Sequence, residues 1–352
     1  MQARSGGRTA AILLLAALLP AACTGGTAPS AAPSTPPASV ALTEAPMASP
    51  TPPAAAATPT AIPTWVAAAT DVVYESADPR LPEAMLDVYA PTGAGQWPVA
   101  VMFHGGPGVL DKGFMGIWAR KAAAEGFVVF VPTWGVGGAG TVGLSRSEQL
   151  DAVQRQAACA VAFAHARAAD YGGDPSTMVM VGHSAGANVS SVIAFNRPAP
   201  TKGCPGGEGP VPVTSVVTFE GDWLLMDAMW GESEADALAV ATPWAGLDAH
   251  PDVPVVMLIT FGSGGVVEPP LVDPPIDWRT AHDPVAIRSR MLTAGPDGGR
   301  IDVAQEQAMF HAALAAKGNR TSLTEVPGSG HMSIGPDGWP VFLAALREAA
   351  GG

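Results

Sequence analysis

Over most of the chain, short unbroken apolar runs alternate with longer alanine-rich stretches. A short, mostly apolar run of four to six residues suits a strand buried on both faces. Such runs predict strands over 85–89, 99–103, 128–132, 178–182, 215–219, 255–260 and 323–326. The intervening stretches predict helices over 117–125, 147–169, 187–195, 303–317 and 339–349. Strands that alternate with helices in this way imply a mostly parallel sheet with helices packed on it.

The N-terminal part follows a different pattern. Arg4 and Arg8 precede an apolar run from Ala10 to Leu19. This run is too short to cross a bilayer, which takes roughly 20 residues, and it suits the core of an export signal over 1–22. Ala21 and Ala22 stand directly before Cys23, a pattern that resembles a bacterial lipoprotein signal whose cysteine becomes the lipidated first residue. Pro20 stands where that pattern expects leucine, so cleavage without lipidation is the alternative. Residues 24–64 are almost wholly Ala, Pro, Thr and Ser, with Glu44 as the one charge. A segment of this composition cannot build a core and reads as a semi-rigid tether, so the expected organisation is signal 1–22, tether 23–64 and one globular domain 65–352.

Charge narrows the partners. The formal net charge is -13, from 18 basic and 31 acidic residues, which opposes nucleic acid and anionic membrane surfaces. Any membrane association is expected through the N-terminal lipid alone. With Cys23 in the signal, Cys159 and Cys204 remain as a pair, and an exported chain favours a disulfide between them over two free thiols. No Cys/His/Asp spacing suggests a metal site.

The chemistry concentrates in three glycine-rich turns that each follow an apolar run. Val179-Met180-Val181 leads into Gly182-His183-Ser184-Ala185-Gly186, a G-x-S-x-G at a strand-to-helix junction. Glycines on either side let the chain turn sharply enough to lift Ser184 above the sheet edge as a nucleophile. Val99 to Phe103 leads into His104-Gly105-Gly106-Pro107-Gly108, where the N–H groups of Gly105 and Gly106, with that of Ala185, could hold an oxyanion. Pro107 has no N–H to offer, and His104 is expected to hold the loop. The run at 323–326 leads into Pro327-Gly328-Ser329-Gly330-His331, which places His331 as general base over the sheet edge.

These motifs, with Leu86-Asp87-Val88-Tyr89-Ala90-Pro91 and Gly172-Gly173-Asp174-Pro175, make residues 72–349 resemble the α/β-hydrolases, closest to secreted esterases and lipases with an HGG loop. The resemblance implies an eight-stranded, mostly parallel sheet, a Ser-His-acid triad and cofactor-free hydrolysis of small-molecule carboxylic esters. The family places its acid just after the seventh strand, where this chain has Phe261-Gly262-Ser263-Gly264-Gly265 and no carboxylate. Asp297, in a Gly-Pro-Asp-Gly-Gly turn one helix and one strand before His331, is the favoured acid. Asp222, Glu268, Asp283 and Asp302 remain alternatives. A segment containing Trp223, Leu224, Leu225, Met226, Met229, Trp230 and Trp244 reads as a small apolar cap or as an extra packed helix. The leading expectation is a serine esterase. A serine exopeptidase, suggested by the resemblance of His104–Gly108 to the HGGPG of proline iminopeptidases, and a decayed lipid-tethered binding protein, suggested by the missing acid, are the alternatives.

Overall fold

The structure is a computed structural model. It describes residues 64–75, 84–106, 110–135, 145–221, 243, 246–247, 255–260, 303–327, 329–331 and 334–351. The chain divides into two units, Met1–Thr58 and Pro59–Gly352. All described residues belong to the second. The expected signal, Cys23 and most of the tether lie outside them, as do Trp223, Leu224, Leu225, Met226, Met229, Trp230 and Trp244 of the tryptophan-rich segment.

Eight strands form one sheet: β1 (Trp65–Glu75), β2 (Ala84–Pro91), β3 (Trp97–Phe103), β4 (Val128–Pro132), β5 (Gly173–His183), β6 (Ser215–Phe219), β7 (Val255–Thr260) and β8 (Arg320–Glu325), in the order β1-β2-β4-β3-β5-β6-β7-β8. β2 runs antiparallel to both its neighbours, and every pairing from β4 to β8 is parallel. The helices are α1 (Lys112–Ala124), α2 (Arg146–Arg167), α3 (Ala185–Asn196), α4 (Val303–Ala316) and α5 (Gly338–Ala349).

The apolar runs are continuous because helices cover both faces of the sheet. Val99, Val101 and Phe103 of β3 pack with residues of α2, α3 and α4, including Val153, Val161, Ile193 and Phe310. Ala100 and Met102, between them in sequence, point the other way and pack with Met115 and Trp118 of α1 and with Phe342 and Leu346 of α5. The same alternation divides Met178 and Met180 from Val179 and Val181 on β5. A two-residue side-chain period buried on both sides leaves no polar position to mark it.

Two helix starts carry their own capping signals. Asp111 accepts the Gly113 N–H at 2.8 Å before α1. At α2, Ser145 Oγ accepts the Glu148 N–H while Glu148 accepts the Ser145 N–H, a reciprocal capping box.

β1 departs from the pattern-based expectation. Its sequence, Trp-Val-Ala-Ala-Ala-Thr-Asp-Val-Val-Tyr-Glu, is mostly exposed and its pairing with β2 is interrupted at three places, as befits an edge strand. Lys112 clips this edge to the body by ion pairs to Asp71 at 2.8 Å and Asp87 at 2.5 Å. β5 also begins earlier than its apolar run, because Gly173 and Asp174 pair with Trp97 and Pro98 through backbone alone.

Cys159 of α2 and Cys204 of the loop after α3 form a disulfide. That loop lies against the helix so closely that a Cβ on Gly206 would sit 2.1 Å from the Ala162 backbone. The bond closes the segment that contains β5, Ser184 and α3. Replacing both cysteines by alanine is expected to lower stability by about 2–4 kcal/mol, read from urea denaturation against the oxidised wild type.

Candidate active site

The parallel strands β3, β5, β6 and β8 deliver their following residues to the same edge of the sheet, the C-terminal edge where open α/β sheets carry their sites. Ser184 stands between the end of β5 and the start of α3 with φ 55 and ψ -122, a conformation that non-glycine residues rarely adopt. The flanking glycines are required by backbone contact. A Cβ on Gly182 would lie 2.2 Å from the Gly186 carbonyl oxygen, and a Cβ on Gly186 would lie 2.2 Å from that of Phe103 and 2.6 Å from that of His104. The turn is tied down by the Ser184 N–H, which donates to Phe219 O at 2.9 Å.

His331 Nε2 lies 3.0 Å from Ser184 Oγ. Its other ring nitrogen, Nδ1, lies 3.4 Å from Oε2 of Glu220. Glu220 follows β6 directly, is 1% exposed, has φ 46 and donates its own N–H to Ile259 O at 2.9 Å. A hydroxyl, an imidazole and a buried carboxylate therefore stand in one hydrogen-bonded line, with the His331 side chain 40% exposed and open to solvent.

The structure thus brings together Ser184 and His331 as the sequence predicts, with a carboxylate, Glu220, that no sequence motif singles out. Asp297, Asp222, Glu268, Asp283 and Asp302 all lie outside the described residues. Two features could have drawn attention to Glu220. It is the first residue after the strand next to the nucleophile strand, and Gly221 follows it at the sheet edge.

The glycine loop after β3 is held by its carbonyls. Trp134 Nε1 donates to His104 O at 3.1 Å, and His104 Nδ1 donates to Gly105 O at 2.8 Å. In a trans peptide C=O and N–H point oppositely. Pinning these two carbonyls therefore turns the N–H groups of Gly105 and Gly106 the other way. Gly105 lies against the nucleophile, since a Cβ there would be 2.9 Å from Ser184 Cβ. Ala185 opens α3, where backbone N–H groups have no partner within the helix. His104 itself is buried; desolvation holds it below the usual histidine range, against the opposing pull of its bond to Gly105 and the charge of Asp111. Its Nε2 accepts the Trp134 N–H at 3.4 Å, so it keeps the loop in place, as the sequence predicts.

The family model BD-FAE matches residues 86–201. Among solved structures, a propionate-bound thermophilic esterase, Est2, of the planctomycete Thermogutta terrifontis is similar at 17% identity and a TM-score of 0.53, covering 82% of this chain and 94% of that one. A bifunctional GH43-CE protein of Bacteroides eggerthii is similar at 18% identity and a TM-score of 0.54, over 81% of this chain but 38% of its own. The Thermogutta esterase phosphonylated by cyclosarin is similar at 16% identity and a TM-score of 0.52, covering 78% of this chain and 90% of that one. No curated protein matches. The chain has the α/β-hydrolase fold.

Within this fold, the residue before Ser184 is a second buried histidine. His183 shares a face of β5 with Val179 and Val181 and stacks on Phe114 with ring centroids 5.0 Å apart. Burial, and then the neighbouring His331, push its pKa down to about 4. The unfolded chain, with histidine near 6.5, takes up this proton first. The stabilisation is therefore complete above about pH 6.5 and is lost as pH falls toward about 4, a difference of about 3 kcal/mol for this group. Urea denaturation of wild type and His183→Gln across that range is expected to show the variant losing less stability on acidification.

Proposed function

We propose that this protein is a serine esterase that hydrolyses small-molecule carboxylic esters through an acyl-enzyme. The observation that carries this reading is the line from Ser184 Oγ through His331 to the buried Glu220, beside a loop whose carbonyls are already bonded. His331 Nε2 takes the proton as Oγ attacks the ester carbonyl. The N–H groups of Gly105, Gly106 and Ala185 receive the developing oxyanion. Glu220 holds the imidazole in the Nδ1–H tautomer and stabilises the imidazolium. That imidazolium then gives its proton to the departing alcohol oxygen. Water, activated by the same histidine, attacks the acyl-serine carbonyl and frees the acid and Ser184. The propionate-bound and phosphonylated forms of the Thermogutta esterase support this class of chemistry for the fold.

The proposal extends to the N-terminus. Residues 1–22 direct export, Cys23 carries the lipid and 24–64 hold the domain away from the membrane. The Cys159–Cys204 disulfide supports an oxidising compartment. The binding-protein alternative rested on a missing acid, and Glu220 gives His331 a carboxylate.

The test is fluorophosphonate labelling of the whole chain, read by intact mass. One adduct is expected on wild type and none on Ser184→Ala or His331→Ala. On a p-nitrophenyl ester, Glu220→Gln is expected to lower kcat by about 10³–10⁴-fold, while Asp297→Asn stays within a few-fold of wild type. The reverse pattern would give the acid's role to Asp297. Folded wild-type protein that takes no label would instead revive the binding-protein reading, and a preference for aminoacyl amides over acyl esters would make the enzyme an exopeptidase.

A further inference from the structure

His183 has a bond that the proposed reaction does not use. Its Nε2 lies 2.5 Å from the backbone oxygen of His331. A carbonyl can only accept, so Nε2 carries the proton and Nδ1 is the bare nitrogen. Among the described residues Nδ1 finds no hydrogen-bond partner, although it is buried. A buried nitrogen without a partner is unfavourable, and an apolar side chain at this place would avoid it. What the imidazole gains here is a single hydrogen bond, and that bond ends on the residue whose side chain reaches Ser184.

His331 needs such an anchor. It follows the edge strand β8, and its side chain is half in solvent. Two described features hold the residues around it: Gly330, directly before it, takes part in a β-bridge, and a side-chain bond lies close by. Gly335 donates to Ser329 Oγ at 2.8 Å, on a buried serine two residues before His331. The His183 bond grips the backbone of His331 itself. The two rings lie 4.9 Å apart, and Phe114 backs His183 from the opposite element α1. His183 adjoins Ser184 in sequence, so one rigid strand end carries both the nucleophile and the group that holds its base.

We propose that His183 is a positioning residue, whose Nε2–H on the His331 carbonyl sets the distance between His331 Nε2 and Ser184 Oγ. The inference rests on the esterase reading for its kinetic consequence and on geometry alone for the bond itself. His331, Glu220 and His104 are the titratable groups around His183, and the two histidines oppose its charging while Glu220 favours it. Burial and its histidine neighbours keep the imidazole neutral over the working range of a histidine base, so the anchor survives while His331 cycles through its charged form.

Two variants and one spectroscopic measurement on the whole chain test this. His183→Leu removes the donor and the unpaired nitrogen together. His183→Gln keeps an amide N–H that reaches about as far as Nε2. With a p-nitrophenyl ester, His183→Leu is expected to lower kcat by about 10–100-fold with KM nearly unchanged, since a displaced base alters attack and not binding. His183→Gln is expected to recover most of the loss. Wild-type kcat in folded His183→Leu would overturn the proposal, as would equal losses in both folded variants. If His183→Leu fails to fold, the glutamine variant decides: near-wild-type kcat supports the anchor and a leucine-sized loss in folded protein refutes it. Histidine-selective ¹⁵N NMR separates this inference from the esterase reading. A slowly exchanging His183 Nε2 proton at neutral pH supports the anchor even if wild type cleaves no ester, and a bare Nε2 or a freely exchanging proton refutes it whatever the activity.

Discussion

The site depends on a contact between backbones. α3 approaches the end of β3 so closely that Gly186 rests on the carbonyls of Phe103 and His104, and Gly182 rests in turn on Gly186. No side chain fits in either place. This approach forces Ser184 into its left-handed turn and also brings the glycine loop after β3 alongside it. Ser184 and the glycine loop proposed to hold the oxyanion thus come from one packing constraint, and the strain at Ser184 is compensated by the bonds around it.

The two histidines flanking Ser184 at this edge are close together yet have opposite surroundings. His183 is walled in by Phe114 and by its neighbours on β5, and it stays neutral. His331 is exposed on one side and meets the buried Glu220 on the other. The environment of His183 excludes charge, whereas His331 has a carboxylate beside Nδ1. Residue type alone could not distinguish the anchor from the base, because burial and the nearest carboxylate make the difference.

Much of this was legible in the amino-acid order, and the exceptions have physical causes. Val128–Pro132, Ser215–Phe219 and Val255–Thr260 are strands to the residue as their apolar runs predict, because burial on both faces writes itself into composition. β1 could not be read so, since an edge strand rich in alanine and facing solvent carries no such signature. Ser184 and His331 each sit in a local glycine turn, so a short stretch of sequence reveals them. Glu220 has no motif of its own. Its significance comes from a partner 111 residues away and from the sheet order that sets β6 beside β5, and neither can be seen along the chain.

The order of the strands has a further consequence for the history of each molecule. β3, β5 and α3 come from one continuous stretch, and the Cys159–Cys204 bond closes the later part of it, which holds β5 and α3. His331 comes 147 residues after Ser184, on the loop behind β8, which is last in sequence and lies at the sheet edge. On the esterase reading, a growing chain therefore holds Ser184 before it holds the proposed base. On that reading, a chain cut before β8 holds Ser184 but neither His331 nor the reactivity proposed to come with it.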